Sequence, residues 1–113
     1  MAILQAGRKR ICVGQYVKGK RQWHKQGPFR LTTLPELCEE AQDPALFCGE
    51  LDAQDVDLIR RKLGSAAVIA SPAASLRRAS YLAESGWERL ARGDSDDAAT
   101  LSPIYLHHPQ IDV

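Results

Sequence analysis

The residues best suited to hold a metal ion lie at the end of the chain, where His107 and His108 are followed by Asp112. Imidazole and carboxylate groups are common zinc ligands. However, adjacent side chains on an extended segment point in opposite directions, so two neighbouring histidines rarely reach one ion together. We therefore interpret this group as a surface tail, and we predict neither a metal nor another cofactor.

A phosphate-binding loop is the second chemistry to consider, because Gly7 has the basic neighbours Arg8 and Lys9. Glycine loops bind phosphate where they lead into the N-terminus of a helix. Here the loop leads into a segment with strand-like alternation, and the chain has no Gly-x-x-x-x-Gly-Lys-Ser/Thr motif. The sequence therefore predicts that Gly7 lies in the turn of a β-hairpin.

Neither the serines nor the cysteines form a recognisable nucleophilic site. The serines within residues 71–80 lie in no Gly-x-Ser-x-Gly elbow of the kind that hydrolases use. The three cysteines, Cys12, Cys38 and Cys48, lack Cys-x-x-Cys spacing, and each lies in an apolar segment. We interpret them as buried thiols in a reducing compartment.

Charge is unevenly divided along the chain. The first 30 residues carry eight basic side chains and no acid, whereas residues 31–113 carry seven basic and fourteen acidic side chains. A basic surface attracts phosphate, which makes a set of residues candidates for contact with RNA or an acidic partner: Arg8, Lys9, Arg10, Lys18, Lys20 and Arg21. The alternative is a solvated hairpin edge, where basic residues prevent pairing with other sheets. The sequence alone favours this second interpretation.

Three strands are predicted in the first part of the chain, over residues 2–6, 10–17 and 21–31. Apolar residues alternate with period two in the second of these segments, as in a half-buried strand. Gly19 is expected to give the second turn its positive φ. Gly27 and Pro28 interrupt the third segment, which places that strand at an edge of the sheet.

Helices and short apolar strands alternate in the remainder. A capping box at Thr33 and Glu36 predicts the start of a first helix, and Asp52 caps a second that ends at Gly64. Buried strands are expected over residues 45–49 and 66–70, the former covered on both faces. Ser71 and Pro72 predict the start of the longest helix, whose apolar face contains Leu76, Ala79, Ala83, Trp87 and Leu90. Residues 103–106 are expected to dock against the body in an extended conformation.

This order, βββαβαβα, predicts a single α/β domain over residues 1–113, with a mixed five-stranded sheet flanked by helices. That is the layout of a ribonuclease H-like domain. Ribonuclease H catalysis needs carboxylates that hold two metal ions, the first of them in the opening strand. The opening strand offers Gln5 instead, and residues 1–30 contain no acid. A metal-dependent nuclease is therefore excluded, and the chain is better interpreted as a binding or scaffolding element.

Three segments resemble the C-terminal half of the TsaB (YeaZ) family. Residues 2–16 are similar to its opening strand–turn–strand, Phe47-Cys48-Gly49-Glu50 to the end of a later strand, and Leu101-Ser102-Pro103-Ile104-Tyr105-Leu106 to its closing Pro-Val/Ile-Tyr-Leu. The order and spacing of elements agree over nearly all of the chain. The family belongs to the glycoprotease-like group, which has the actin-like ATPase fold.

The resemblance implies a non-catalytic accessory role in the threonylcarbamoyladenosine modification of bacterial tRNA, in the cytoplasm. The implied partners are a TsaD-like paralogue and a TsaE-like ATPase, with tRNA contact and a homodimer as further candidates. Proteolysis is not implied, and no stretch of the sequence is long and apolar enough for a membrane span. The family's opening-strand Asp is Gln5 here, and its N-terminal half has no counterpart, so we expect a C-terminal domain or a shortened TsaB-like protein.

Two alternatives come from other functional classes. An enzyme of the actin-like lineage would bind ATP and hydrolyse it. A self-associating module would instead pair with a second copy through an edge strand and an exposed face.

Overall fold

Five strands form one mixed sheet in the order β3-β2-β1-β4-β5. The computed structural model describes residues 1–41 and 43–106. Strands β1, β2 and β3 form an antiparallel meander, and β1, β4 and β5 are parallel neighbours. The predicted α/β fold is confirmed, and its topology is consistent with a ribonuclease H-like domain. The strands are β1 (Ala2–Gln5), β2 (Arg10–Lys18), β3 (Trp23–Thr33), β4 (Ala45–Gly49) and β5 (Ala67–Ile69).

Capping boxes begin the first two helices; the sequence predicts the first box, and for the second helix it predicts Asp52 as the N-cap. In the first box, the Glu36 N–H donates to the Thr33 hydroxyl and the Glu36 carboxylate accepts from the Thr33 N–H at 3.0 Å. In the second, Asp52 and Asp55 exchange the equivalent bonds at 2.9 and 3.1 Å. These bonds satisfy amide groups that would otherwise lack a partner at each helix start. The helices are α1 (Leu34–Glu40), α2 (Ala53–Leu63), α3 (Pro72–Ser75) and α4 (Ala79–Ala91), with a 3₁₀ turn at Gly64–Ala66.

Helices α1 and α2 cover one face of the sheet, and the hydrophobic core lies between them and the strands. The side chains of Leu37, Phe47 and Ile59 are completely buried there. Burial raises the pKa of the Cys38 thiol, which lies in the same core. The whole core consists of Ile3, Ile11, Val13, Leu34, Leu37, Cys38, Phe47 and Ile59.

Strand β3 lies at the edge of the sheet, as its Gly27-Pro28 pair predicts. The pairing of β2 with β3 is irregular between Val13 and Gln15, opposite the segment that contains this pair. Gly14 lies at the irregularity, and an added Cβ there would come within 3.0 Å of ring atoms of Tyr16 and Phe29. A proline is tolerated in this place because an edge strand does not need every N–H.

The two hairpin turns differ from each other. The β1–β2 turn is closed by a hydrogen bond from the Arg10 N–H to the Gly7 carbonyl at 3.0 Å, and its central residues Arg8 and Lys9 have φ of 52° and 60°. Those angles are typical of a type I′ turn. The positive φ predicted for Gly19 is wrong, because the longer β2–β3 connection turns through a Gly19 N–H to Gln22 carbonyl bond at 2.9 Å.

The long helix predicted from Pro72 onwards is interrupted. Its first part, α3, ends at Ser75, and the backbone becomes extended at Leu76, where ψ is 133°. Two arginines hold the chain in this conformation: Arg77 lies 2.6 Å from a Glu50 oxygen, and Arg78 donates to the Ala73 carbonyl at 3.2 Å. Helix α4 therefore starts separately at Ala79, and it has no buried residue.

The shape of the chain reflects this separation. The radius of gyration is 16.2 Å, about 3 Å more than expected for a compact domain of this length. Helix α4 does not cover the second face of the sheet. The prediction that residues 45–49 are covered on both faces is therefore wrong, since Leu46 is exposed while Phe47 is buried.

Candidate functional site

Gln5 lies at the carboxyl end of β1, in the place where ribonuclease H chemistry would need an acid. Its backbone N–H donates to a carboxylate oxygen of Glu50 at 2.8 Å. Its side-chain amide donates to the Glu50 carbonyl at 3.0 Å and to the Asp55 carboxylate at 3.1 Å. The two N–H groups of the amide are thus both used, and they tie β1 to the start of α2.

Glu50 connects this edge of the sheet with the segment that precedes α4. One oxygen of its carboxylate accepts from Gln5, and the other pairs with Arg77 at 2.6 Å. The Asp55 oxygen that meets Gln5 also accepts from the Asp52 N–H in the capping box. The acids at this edge are therefore engaged in hydrogen bonds that hold elements together. Among the residues that the structure describes, no three His, Cys, Asp or Glu side chains are placed to hold a metal ion.

The six basic residues predicted to contact RNA or a partner are not brought together. Arg8 and Lys9 lie in the β1–β2 turn, whereas Lys18, Lys20 and Arg21 lie at the other end of β2 or in the turn that follows it. Strand β2 has nine residues from Arg10 to Lys18, and its eight steps of about 3.3 Å separate the two groups by about 26 Å. The set is therefore two basic clusters, one at each end of the same strand.

Arg10 belongs to neither cluster. It begins β2 and lines a groove on the uncovered side of the sheet. Its Nε atom is buried and has no hydrogen-bond partner among the described residues. An unpaired buried donor is costly, and an acceptor supplied from outside would remove that cost.

The uncovered side of the sheet, which we call the open face, is largely apolar. Side chains alternate between the two faces of a strand, and the register places one set of residues on this side. Tyr16 and Phe29 stand over Gly14 near its centre, with the Lys25 ammonium 4.6 Å from the Phe29 ring centroid. The open face consists of Ala2, Leu4, Cys12, Gly14, Tyr16, Phe29, Leu31, Leu46, Cys48 and Val68.

The groove on the open face has a volume of about 740 Å³ and is also lined by the end of the described chain. Ile104 and Tyr105 border it, yet both side chains are exposed. The predicted docking of residues 103–106 thus leaves part of the open face exposed. Leu4, Leu46 and Val68 are exposed there, whereas the other residues of the face are half-buried or buried. Exposed apolar side chains that share one face can mark an interaction site.

The remaining candidates from the sequence can also be placed. Cys38 is buried as expected, while Cys12 and Cys48 are only partly buried, and all three thiols are free. His107, His108 and Asp112 lie outside the described residues. No described helix is long and apolar enough to cross a membrane.

Sequence reasoning missed the roles of Glu50, Asp55 and Arg77 around Gln5. One signal for Glu50 was present, because it directly follows a short buried strand parallel to β1. The carboxyl ends of parallel strands meet at one edge of a sheet, so the two residues were candidates for contact. Arg77 had no such signal, because the predicted helix ran through it.

Comparison of the chain with protein-family models, with curated proteins and with solved structures finds no match.

Proposed function

We propose that this chain is a non-catalytic interaction domain that works by binding another protein through its open face. The observation that carries this proposal is the apolar open face, which α4 does not cover and on which Leu4, Leu46 and Val68 are exposed. Burial of apolar surface is the main driving force of protein association. A folded domain with one well-filled core and exposed apolar side chains on the other face of its sheet is suited to recognition.

The hydrogen bonds of Gln5 support the non-catalytic part of the proposal. Its neutral amide occupies the place where a metal-dependent phosphate chemistry would need a carboxylate. Glu50 and Asp55 are the nearest acids, and both are bonded to Gln5. These bonds join strands and helix starts, which is a structural task. Calorimetry with ATP and magnesium tests this part, and a heat of binding would refute it.

The resemblance to the TsaB family supplies the class of partner. We propose a role in the threonylcarbamoyladenosine modification of tRNA, with a TsaD-like paralogue as the protein bound and a TsaE-like ATPase in the same assembly. In this role the domain contributes a binding surface, and the paralogue contributes the chemistry.

A binding experiment with purified TsaD-like protein tests the use of the open face. Leu4→Asp places a charge on that face, where Leu4 is 41% exposed. Val17→Asp is the matched control, because Val17 is 45% exposed and its place in β2 directs it to the opposite side of the sheet. We expect Leu4→Asp to weaken binding at least tenfold and Val17→Asp to leave it within threefold. Equal effects of the two variants, or no binding by the unmodified chain, would refute the proposal.

Contact with tRNA is a second part of the proposed role, and the β1–β2 turn favours it. Arg8 and Lys9 occupy adjacent left-handed positions in a tight turn, which presents two cationic side chains at the tip of a hairpin. Binding through phosphate contacts weakens steeply as salt rises. We expect the double substitution Arg8→Ala and Lys9→Ala to reduce tRNA binding in a gel-shift titration at low salt. Lys18→Ala with Lys20→Ala tests the other cluster, and absence of any shift with the unmodified chain would exclude tRNA contact.

A further inference from the structure

We infer that the outer part of the β2–β3 hairpin, residues 15–26, binds unpaired nucleotides of RNA. In this interaction a base stacks on the Trp23 ring, and the neighbouring lysines hold the phosphates. The inference rests on the proposed function, since it names the part of an RNA that is bound and the side chains that bind it. We call residues 15–26 the β2–β3 ribbon.

The β2–β3 ribbon extends beyond the neighbouring strand β1. Pairing between β1 and β2 ends at Ala2 and Gly14, whereas β2 continues to Lys18 and stays paired with β3 from Gln15 onwards. The ring of Trp23 lies in this extension and is 54% exposed. An indole ring that is more than half exposed has a face free for another planar group.

One face of the β2–β3 ribbon carries aromatic rings and lysines in alternation. Residues directly opposite each other in an antiparallel pair share a face, and the register pairs Tyr16 with Lys25 and Lys18 with Trp23. Each of these cross-strand pairs joins one ring to one ammonium group, and the two pairs lie about 6.6 Å apart along the strands. The other face carries a different set: Gln15, Val17, His24 and Gln26. Rings with adjacent cations are the surface on which proteins stack the bases of single strands.

The cations of the β2–β3 ribbon are available to an anion from outside. Residues 15–26 contain four basic side chains and no acid. None of the four forms an ion pair with a described residue, whereas Arg30, a few residues further along β3, pairs with Glu40. The Lys25 ammonium lies 4.6 Å from the centroid of the Phe29 ring, a contact that leaves its charge uncompensated. The charge of this surface is therefore complementary to a phosphate backbone.

Unpaired nucleotides fit this surface better than an acidic protein segment or a duplex. A carboxylate would use the lysines alone, whereas a nucleotide offers a base to the ring as well as a phosphate to the lysine. Tyr16, Lys18 and Trp23 also line a cleft of about 940 Å³, and ligand pockets in proteins have volumes of about 300–1,000 Å³. In an RNA duplex the bases stack on one another and face a major groove that side chains cannot read. Only unpaired bases can therefore reach the rings.

Fluorescence anisotropy with a labelled oligouridine at low salt provides the first test. We expect the whole chain to bind the single strand at least threefold more tightly than its duplex with oligoadenosine. Loss of a stacked ring weakens single-strand binding by about 5- to 150-fold, so we expect at least fivefold weaker binding in Trp23→Ala. Trp87→Ala is the matched control, because Trp87 is also an exposed tryptophan, at 70%, and lies in α4; it should change binding by less than twofold. Absence of binding, equal affinity for strand and duplex, or equal effects of the two variants would overturn the inference.

Salt dependence separates the lysines from the ring. Each phosphate contact adds about 0.7 to the slope of log affinity against log salt for a single strand. Lys18→Ala should therefore lower this slope by about 0.7, whereas Trp23→Ala should lower the affinity at every salt concentration and leave the slope unchanged. A slope that falls in Trp23→Ala would show that the ring only positions the lysines, and it would overturn stacking.

Tryptophan emission reports the stacking itself. The chain contains two tryptophans, so Trp23 is the only one left in Trp87→Phe. We expect oligouridine to quench the emission of this variant, and polyglutamate at the same charge concentration neither to quench it nor to displace the RNA. Binding of RNA without quenching, or displacement by polyglutamate, would overturn the inference. Binding of tRNA that requires Arg8 and Lys9 but not Trp23 would overturn it and leave the proposed contact with tRNA standing.

Discussion

Gly49→Ala is expected to be among the most damaging small substitutions in this chain. Gly49 ends β4 with φ of +114°, a conformation that residues with a Cβ rarely adopt. A Cβ at this position would lie 2.1 Å from the carbonyl oxygen of Ile3 in the neighbouring β1. The two strands must therefore separate, in the middle of the sheet and beside the Gln5–Glu50 bonds.

The size of the effect follows from two contributions. Backbone strain at a positive φ costs about 1–3 kcal/mol. Separation of the strands also breaks the bond from the Glu50 N–H to the Ile3 carbonyl, now 2.9 Å long, which is worth about 0.5–1.5 kcal/mol net. We expect a total loss of about 3 kcal/mol, a large part of the roughly 5–15 kcal/mol by which small domains are stable.

Gly64→Ala is the control variant that has the backbone strain of a positive φ without the steric clash. Gly64 also has positive φ, at 54°, but no atom lies within 4 Å of an added Cβ. We expect it to cost about 1 kcal/mol. Urea unfolding followed by circular dichroism at a fixed chain concentration measures both variants. With a slope of about 1.5 kcal/mol per molar urea, Gly49→Ala should lower the midpoint by about 2 M and Gly64→Ala by less than 1 M. Equal shifts would show that the contact with Ile3 does not limit stability.

Three further expectations concern titratable groups. Gln5→Glu should lower the free energy of unfolding at pH 7 by about 1–2 kcal/mol, because it removes an amide hydrogen bond and adds a third carboxylate beside Glu50 and Asp55. Urea midpoints should show that this loss becomes smaller as the pH falls and the new acid is protonated. Hydrogen bonds from Thr33 and Thr32 lower the pKa of Glu36. The ionised carboxylate therefore contributes fully to stability above the ordinary pKa of Glu, and this contribution disappears as the pH falls through the lowered pKa. The urea midpoint of the unmodified chain should exceed that of Glu36→Gln at neutral pH but not in acid, and a difference that is the same at both pH values would contradict this. Because burial raises the pKa of Cys38, Ellman's reagent should modify it more slowly than the other two cysteines at pH 8, and equal rates would show that the core opens easily.

The parts of the fold that were predicted correctly depend on local signals. Period-two alternation marked the second strand, and Gly27 with Pro28 marked the edge strand. Thr33 with Glu36 and Asp52 as an N-cap identified two helix starts to the residue. Each of these patterns acts within a few residues of the chain, where side-chain spacing and capping chemistry are decisive.

The parts that were not predicted depend on contacts between distant segments. Gln5 and Glu50 are 45 residues apart, so their bond becomes visible only once β1 and β4 are paired. The break at Leu76 depends on the same edge, because Arg77 reaches Glu50 there. Periodicity placed Leu76 on the apolar face of one long helix, whereas Leu76 is extended and α4 begins at Ala79 with no buried residue. The length of β2 likewise places the basic residues in two separate clusters, which the number of charges in the first 30 residues does not reveal.

The separation of the two basic clusters along β2 restricts the size of any anion that touches both. The strand has nine residues, and the resulting span of about 26 Å equals about eight base-pair steps of 3.4 Å. A free nucleotide can therefore meet only one end of the strand. A ligand that neutralises both ends must be a polymer at least that long, and its affinity should fall abruptly when an oligonucleotide series is shortened below this length.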